Sequence, residues 1–331
     1  MKTLICYGTR PEYLKVKPIL EDNTFLESLF IKQHVDIINF GTATHSIEIE
    51  NECQNRLNSI FQQVLLKAEN IIQKYDNIVV QGDTATVAAI ALTAYNLKKK
   101  IFYIESGLRS FDLKNPYPEE GYRQMVSRIA TVNFCPTELS AQNLKNEGVL
   151  GDIFVTGNTA LDNLVEHRKN SLYGKYVLVT LHRNENLIIL NDWIKQIDHL
   201  AKINFRHNFV YPVHPNPLIK KAVENTKYIK KTEPLEHIDF IKILKNCSTV
   251  ITDSGGVQEE GSFLNKKIIV CRKTTERPEG IETGHLHLCE SPDKLPNIFE
   301  TVMRNFTIDS ACPYGDGNSA SRINKILAEY E

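Results

Sequence analysis

Short apolar runs rich in isoleucine, valine, phenylalanine and tyrosine recur along this chain, each separated from the next by a stretch long enough to form a helix. That rhythm confines the fold to βαβ units and so to parallel sheets, whose strands are buried on both faces and read as nearly unbroken apolar segments. In the first half the expected strands are 3–7, 29–32, 77–81, 101–105, 131–135 and 152–156. In the second half they are 176–181, 208–213, 227–231, 249–252 and 267–271, with helical spacers such as 191–202. His285 and His287 alternate along one more strand-like segment, and 319–330 reads as a closing helix. The stretch 167–175 is polar, ends in glycine and lysine and has no period, which marks it as a linker. A chain of 331 residues is too long for one ordinary core. Two doubly wound α/β domains, 1–168 and 175–310, account for it.

Composition narrows the functional classes. Hydrophobic residues at 42% and charged residues at 24% are the proportions of a globular protein, which removes disordered and fibrous classes. With 39 basic against 40 acidic residues, no global field draws the chain to nucleic acid or to an anionic membrane, so any phosphate recognition must be local. The apolar run at the N-terminus is too brief for a signal segment or a membrane span, and a cytoplasmic location is expected. Seven cysteines are scattered, odd in number and without a CxxC pair, the pattern of reduced core thiols.

Open parallel sheets bind ligands at the carboxyl ends of their strands, so chemistry is sought there. After the first strand comes GTRPE (8–12), where Gly8 allows a tight turn, Pro11 suits the first helical position, and Arg10 and Lys15 are within reach of a phosphate. Taken alone, Gly8 and Pro11 serve equally well merely to shape the turn. The segment is not GxGxxG, and no acidic residue ends the second strand to hold a ribose, so no nicotinamide cofactor is expected. Asp83 and Glu105 follow neighbouring strands and place two carboxylates at one crevice, an arrangement that separates carboxyl pKa values. Glu119 opens a helix, where a carboxylate by itself is a complement to the helix dipole. His182 and His214 each end a strand in the second half, and a lone turn histidine is most often a satisfied polar group. The ten histidines show no metal-ligand spacing, so no metal is expected. The most informative segment is DSGGVQEE (253–260), in which a strand passes through small residues into a helix and leaves backbone N–H groups free for an anion. Glu260 lies six residues past Ser254, placed to accept two ribose hydroxyls.

In order, the chain carries GTRPE (8–12), GDT (82–84), ESGLRS (105–110), PEE (118–120), GNT (157–159), HRNEN (182–186), YPVHPNP (211–217), DSGGVQEE (253–260), TTERPEG (274–280) and PYGDG (313–317). The set resembles the non-hydrolysing UDP-N-acetylglucosamine 2-epimerase family from Gly8 to about Ile323. That resemblance implies two Rossmann-like domains in a GT-B-type arrangement with a ligand cleft between them, and a last helix, 318–331, that returns to the first domain. It implies Asp83, Glu105, Glu119 and His182 as catalytic groups. Arg10, His214, Phe240, Ser254, Gly255, Gly256 and Glu260 would contact UDP, Arg183 would join Arg10 at the diphosphate, and Lys15, Gln33 and His34 would lie near the sugar and phosphates. It further implies a homodimer that needs no cofactor, takes a UDP-N-acetylamino sugar and supplies activated sugars for surface glycans. The chemistry is consistent with such a site. A C2 proton beside an acetamido group has no carbonyl to acidify it, so UDP must leave first, and re-addition after protonation of the opposite face inverts C2. Alternatives are an epimerase for another UDP-sugar, such as UDP-N-acetyl-L-quinovosamine or a UDP-diacetamido uronic acid, a hydrolysing relative, and a non-catalytic UDP-sugar binder. The stretch 39–58 looks short beside the family pattern and lacks its proline-glycine-glutamine motif, so activation by a second UDP-sugar is not expected.

Overall fold

The computed structural model describes residues 1–33, 43–50, 54–168, 174–304, 308 and 310–330, with the backbone alone at Asn184. Its first part runs β1 (Thr3–Tyr7), α1 (Arg10–Asp22), β2 (Glu27–Lys32), β3 (His45–Glu48), α2 (Arg56–Ile72), β4 (Asn77–Gln81), α3 (Ala85–Asn96), β5 (Lys100–Ile104), α4 (Glu119–Ile129), β6 (Val132–Cys135), α5 (Glu138–Asn146) and β7 (Asp152–Val155). The second part runs α6 (Val165–Arg168), β8 (Tyr176–Thr180), α7 (Asn184–Leu187), α8 (Leu190–Ile203), β9 (Asn208–Pro212), α9 (Pro217–Val223), β10 (Lys230–Thr232), α10 (His237–Asn246), β11 (Cys247–Thr252), α11 (Gly255–Phe263), β12 (Lys267–Val270), α12 (Glu279–Glu282), β13 (Leu286–Leu288) and α13 (Leu295–Arg304). A last helix, α14 (Ser319–Glu329), closes the chain.

The strands form two parallel sheets, ordered β3-β2-β1-β4-β5-β6-β7 and β10-β9-β8-β11-β12-β13. Every residue of β1 and β4 is buried, which explains their unbroken apolar sequences. Each sheet reverses its winding once, between β1 and β4 in the first and between β8 and β11 in the second. At such a point the flanking helices leave to opposite faces and open a crevice at the carboxyl ends of the two strands.

Two compact units result, Met1–Asn163 with Gly315–Glu331 and Leu164–Tyr314. In the first, α14 packs on Ile5 and Val79 of the sheet and on Val16 and Ile19 of α1, and adds Ala320, Ile323 and Leu327 to that core. Its Asn324 amide donates to the Ile19 carbonyl at 3.1 Å, and its Ala320 N–H donates to the Asp162 carboxylate at 2.7 Å. Trp193, Phe209 and Phe299 lie in the core of the second unit.

Some elements depart from the sequence expectation. β3 was not anticipated, because its four residues alternate half-buried and exposed and pair only with β2 at the sheet edge. β10 lies at Lys230–Thr232, later than the expected 227–231, since its register is set by pairing with Val210–Pro212. Of the cysteines, Cys6, Cys135, Cys247, Cys271 and Cys289 are free and buried, whereas Cys312 is only half-buried, outside the core. Cys53 and part of 39–58 lie outside the described residues.

Candidate active site

In the first unit the crevice between β1 and β4 receives Gly8 to Glu12 from one side and Gly82 to Thr84 from the other. Thr9 caps α1, with its hydroxyl accepting from the Glu12 N–H, and the Glu12 carboxylate returns to the Gly8 and Thr9 N–H groups at 2.6 and 3.0 Å. Asp83 ends the neighbouring turn and is ion-paired with Arg123 of α4 at 2.7 Å. Glu105 follows β5, the next strand along, with its backbone in the left-handed region at φ +65. A side chain there costs about 1 kcal/mol, a strain that structures retain mostly at functional sites. Lys15 of α1 grips both Glu105 oxygens at 2.6 and 2.5 Å, and the Gln81 amide also donates to that carboxylate. Lys15, expected near the sugar and phosphates, thus meets a carboxylate of its own unit. Asp83 and Glu105 do emerge from adjacent strands, each met by its own cation. Glu119 is the first residue of α4, and its Oε2 is buried with no hydrogen-bond partner among the described residues. A carboxylate serving only the helix dipole would be solvated; this oxygen is not. Gln33 donates to the Thr86 hydroxyl at 2.5 Å. Arg10 is half-buried at the start of α1, and His34 lies outside the described residues.

In the second unit the crevice between β8 and β11 is organised by one fully buried carboxylate, Asp253. It accepts from the His182 N–H at 3.1 Å, the Arg183 N–H at 3.0 Å and the Asn186 amide at 2.9 Å, and so fixes the loop that follows β8. The His182 ring stacks on His214 with centroids 5.7 Å apart. Burial holds the His182 pKa below its usual 6.5; Asp253 opposes this, while Arg183 and His214 add to it. The imidazole is therefore neutral at neutral pH, with one nitrogen free to accept a proton and the other to donate one. Helix α11 opens after β11 with Ser254 at its cap, whose side chain makes no capping hydrogen bond. A Cβ at Gly255 would stand 2.6 Å from Nη1 of Arg277, so any side chain there must displace that guanidinium. Arg277 thus lies against the start of α11, ion-paired with Glu259 at 2.6 Å and with Glu276 at 3.6 Å. Glu260, one and a half turns on, bonds His237 at 3.0 Å. Phe240, on the same helix as His237, is half-buried.

The sequence model of the UDP-N-acetylglucosamine 2-epimerase family matches residues 23–328. The chain belongs to that family. Similar members include the UDP-N-acetylglucosamine 2-epimerase of Campylobacter jejuni, 35% identical over 98% of this chain and 97% of its own length. Among solved structures, the UDP-GlcNAc 2-epimerase of Neisseria meningitidis bound to UDP-GlcNAc has a TM-score of 0.91 at 29% identity, over 99% of this chain and 100% of that one. The Methanocaldococcus jannaschii UDP-GlcNAc 2-epimerase in complex with UDP-GlcNAc and UDP has a TM-score of 0.86 at 31% identity, with the same two coverages.

For this member of the epimerase family, sequence reasoning passed over four supporting residues. Asp253 and Arg277 stand inside quoted motifs, yet their partners are distant in sequence: Asp253 acts on residues 67 to 71 positions away. Arg123 and His237 carry no motif signal. Arg272 extends the set, joining Glu185 at 2.6 Å to Glu276 at 2.8 Å behind the α11 start.

Proposed function

We propose that this chain interconverts UDP-N-acetylglucosamine and UDP-N-acetylmannosamine by eliminating UDP and adding it back with C2 inverted. The observation that carries the reading is the pair of switch-point clusters, carboxylates in one unit and a helix-start anion site in the other, within a chain whose family match spans residues 23–328. Relatives solved with UDP-GlcNAc or UDP bound support the substrate class.

In this reading the N–H groups opening α11 at Gly255 and Gly256, together with Arg277, Arg10 and Arg183, hold the diphosphate. Negative charge builds on that group as the C1–O bond breaks, so these donors stabilise the transition state more than the ground state. Glu260 holds the ribose, while His214 and Phe240 contact the nucleotide. Loss of UDP gives C1 oxocarbenium character and makes the C2 proton removable. Two faces of C2 need two proton-handling positions, supplied from Asp83, Glu105, Glu119 and the neutral imidazole of His182. Lys15 and Gln81 hold the Glu105 carboxylate in place, and Arg123 does the same for Asp83. The reading includes a cytoplasmic homodimer, as the family resemblance implies; among the described residues no helix is long and apolar enough to cross a membrane.

Proton NMR of UDP-GlcNAc with the enzyme in deuterium oxide tests it. Deuterium at C2 together with the manno epimer is expected; epimer formed without label at C2 would sink the elimination route. Isosteric loss of charge at Asp83, Glu105 or Glu119 should lower kcat by about 100-fold or more in the same assay.

A further inference from the structure

Glu12 is a buried carboxylate that the mechanism above leaves without a task, and it is 3% exposed. Its contacts to the Gly8 and Thr9 N–H groups make an ordinary capping box. A second contact has no part in capping α1. The Thr84 hydroxyl, 72 residues away, donates to the other Glu12 oxygen at 2.7 Å. Thr84 is in turn the cap of α3, its hydroxyl accepting from the Val87 N–H. Thr84 directly follows Asp83, and Gly82 packs beside Glu12: a Cβ there would lie in ordinary van der Waals contact, 3.8 Å from Cγ of Glu12. One carboxylate therefore spans the crevice between β1 and β4, with one oxygen on each bank.

The geometry points to Glu12 as a positioning residue that clamps the Arg10 turn to the Asp83 turn, so that a diphosphate contact and a proton-handling group keep one fixed spacing. This rests on the functional reading above. The ionised carboxylate accepts all three donors at once, whereas the protonated acid must surrender an acceptor position to its own hydrogen. Burial raises the Glu12 pKa from 4.5 to about 7, held back by the hydrogen bonds from Thr84, Gly8 and Thr9 and helped by the charge of Asp83. The charged groups around it are Arg10 in the first turn of its own helix, Asp83 on the facing turn, and Arg123 of α4 paired with Asp83. The clamp is complete above about pH 7 and loosens as pH falls through that value.

Two measurements test the clamp. In protein carrying isotope-labelled glutamate, the Glu12 carboxyl should titrate near neutrality; Asp83→Asn should lower the midpoint by removing a negative neighbour, and Thr84→Val should raise it by removing a donor. A midpoint that neither substitution moves would overturn the proposal. In kinetics, Glu12→Ala and Thr84→Val should each lower kcat, by up to about 100-fold for a misplaced group, with KM nearly unchanged. Their combination should be no worse than the poorer single variant, and Thr84→Ser should restore the rate. Glu12→Gln, whose amide can still accept from Gly8 and donate to Thr84, should retain the fold and lose the wild-type dependence of kcat on pH near 7. Multiplying losses, or a pH profile unchanged in Glu12→Gln, would reduce Glu12 to a helix cap. A wild-type protein that isomerised no UDP-sugar would defeat the functional reading alone, because the titration judges the clamp in the resting protein.

Discussion

A buried carboxylate with three N–H donors turned toward it cannot be removed without stranding all three. Asp253 is in that position, so Asp253→Ala should cost about 3 kcal/mol in urea unfolding, well above the cost of an exposed polar residue. The same variant should lower kcat, because the loop carrying His182 and Arg183 loses its anchor. At this scale the sequence was readable where a residue type announces its chemistry: Asp83, Glu105 and the Ser254 to Gly256 turn all follow strand ends. It was silent where identity depends on a distant partner. Nothing local distinguishes Asp253 from a surface turn aspartate, and nothing marks Glu105 as a residue held at positive φ. Glu119 was assigned to helix decoration by its position alone, and only the resemblance to a family raised it to a catalytic candidate.

Elements behave as their ends dictate. Two adjacent glycines open α11, and their contacts differ: Gly255 faces Arg277, while a Cβ at Gly256 would meet nothing within 4 Å. Gly255→Ala should push the Arg277 guanidinium off its pairing with Glu259 and weaken UDP binding about tenfold by calorimetry, near 1.4 kcal/mol. Gly256→Ala should instead raise the unfolding free energy of the ligand-free protein by about 0.5 to 1 kcal/mol, the gain from alanine in a helical turn. β13 makes a separate prediction at the sheet edge. His285 just before it is fully buried with Nε2 unpartnered among the described residues, and burial, aided by Arg168, lowers its pKa from 6.5 to about 4. Between those values the unfolded chain binds a proton that the folded one refuses, so stability is intact above pH 6.5 and falls as pH drops toward 4. The loss attributable to this group is about 3 kcal/mol, and His285→Gln should flatten that part of the urea midpoint against pH. Long central strands such as β1 and β4 were legible because burial on two faces leaves an unbroken apolar record. β3 was not, because an edge strand with one wet face leaves almost none.

The division of the whole molecule does not follow the order of its sequence, and that is open to a direct test. Unit one is discontinuous: residues 1–163 lack the faces of Ala320, Ile323 and Leu327 that cover Ile5, Val16 and Ile19. Cut at 163, the fragment would expose those side chains to water, and each large apolar side chain left uncovered costs about 1.5 to 3 kcal/mol against a total stability of only about 5 to 15. Residues 164–314 contain the whole second sheet and its core, so they suffer no such loss. The fragment 164–314 should therefore melt cooperatively by itself, while 1–163 should not. Joining 1–163 to 315–331 through a short glycine linker should restore cooperative melting, because the ends to be joined already meet: Asp162 bonds Ala320 at 2.7 Å, and a Cβ on Gly315 would stand 3.3 Å from the Asn158 N. Cooperative melting of 1–163 alone would mean that the returning helix is an ornament on a complete core, and that the first domain ends where its contiguous sequence does.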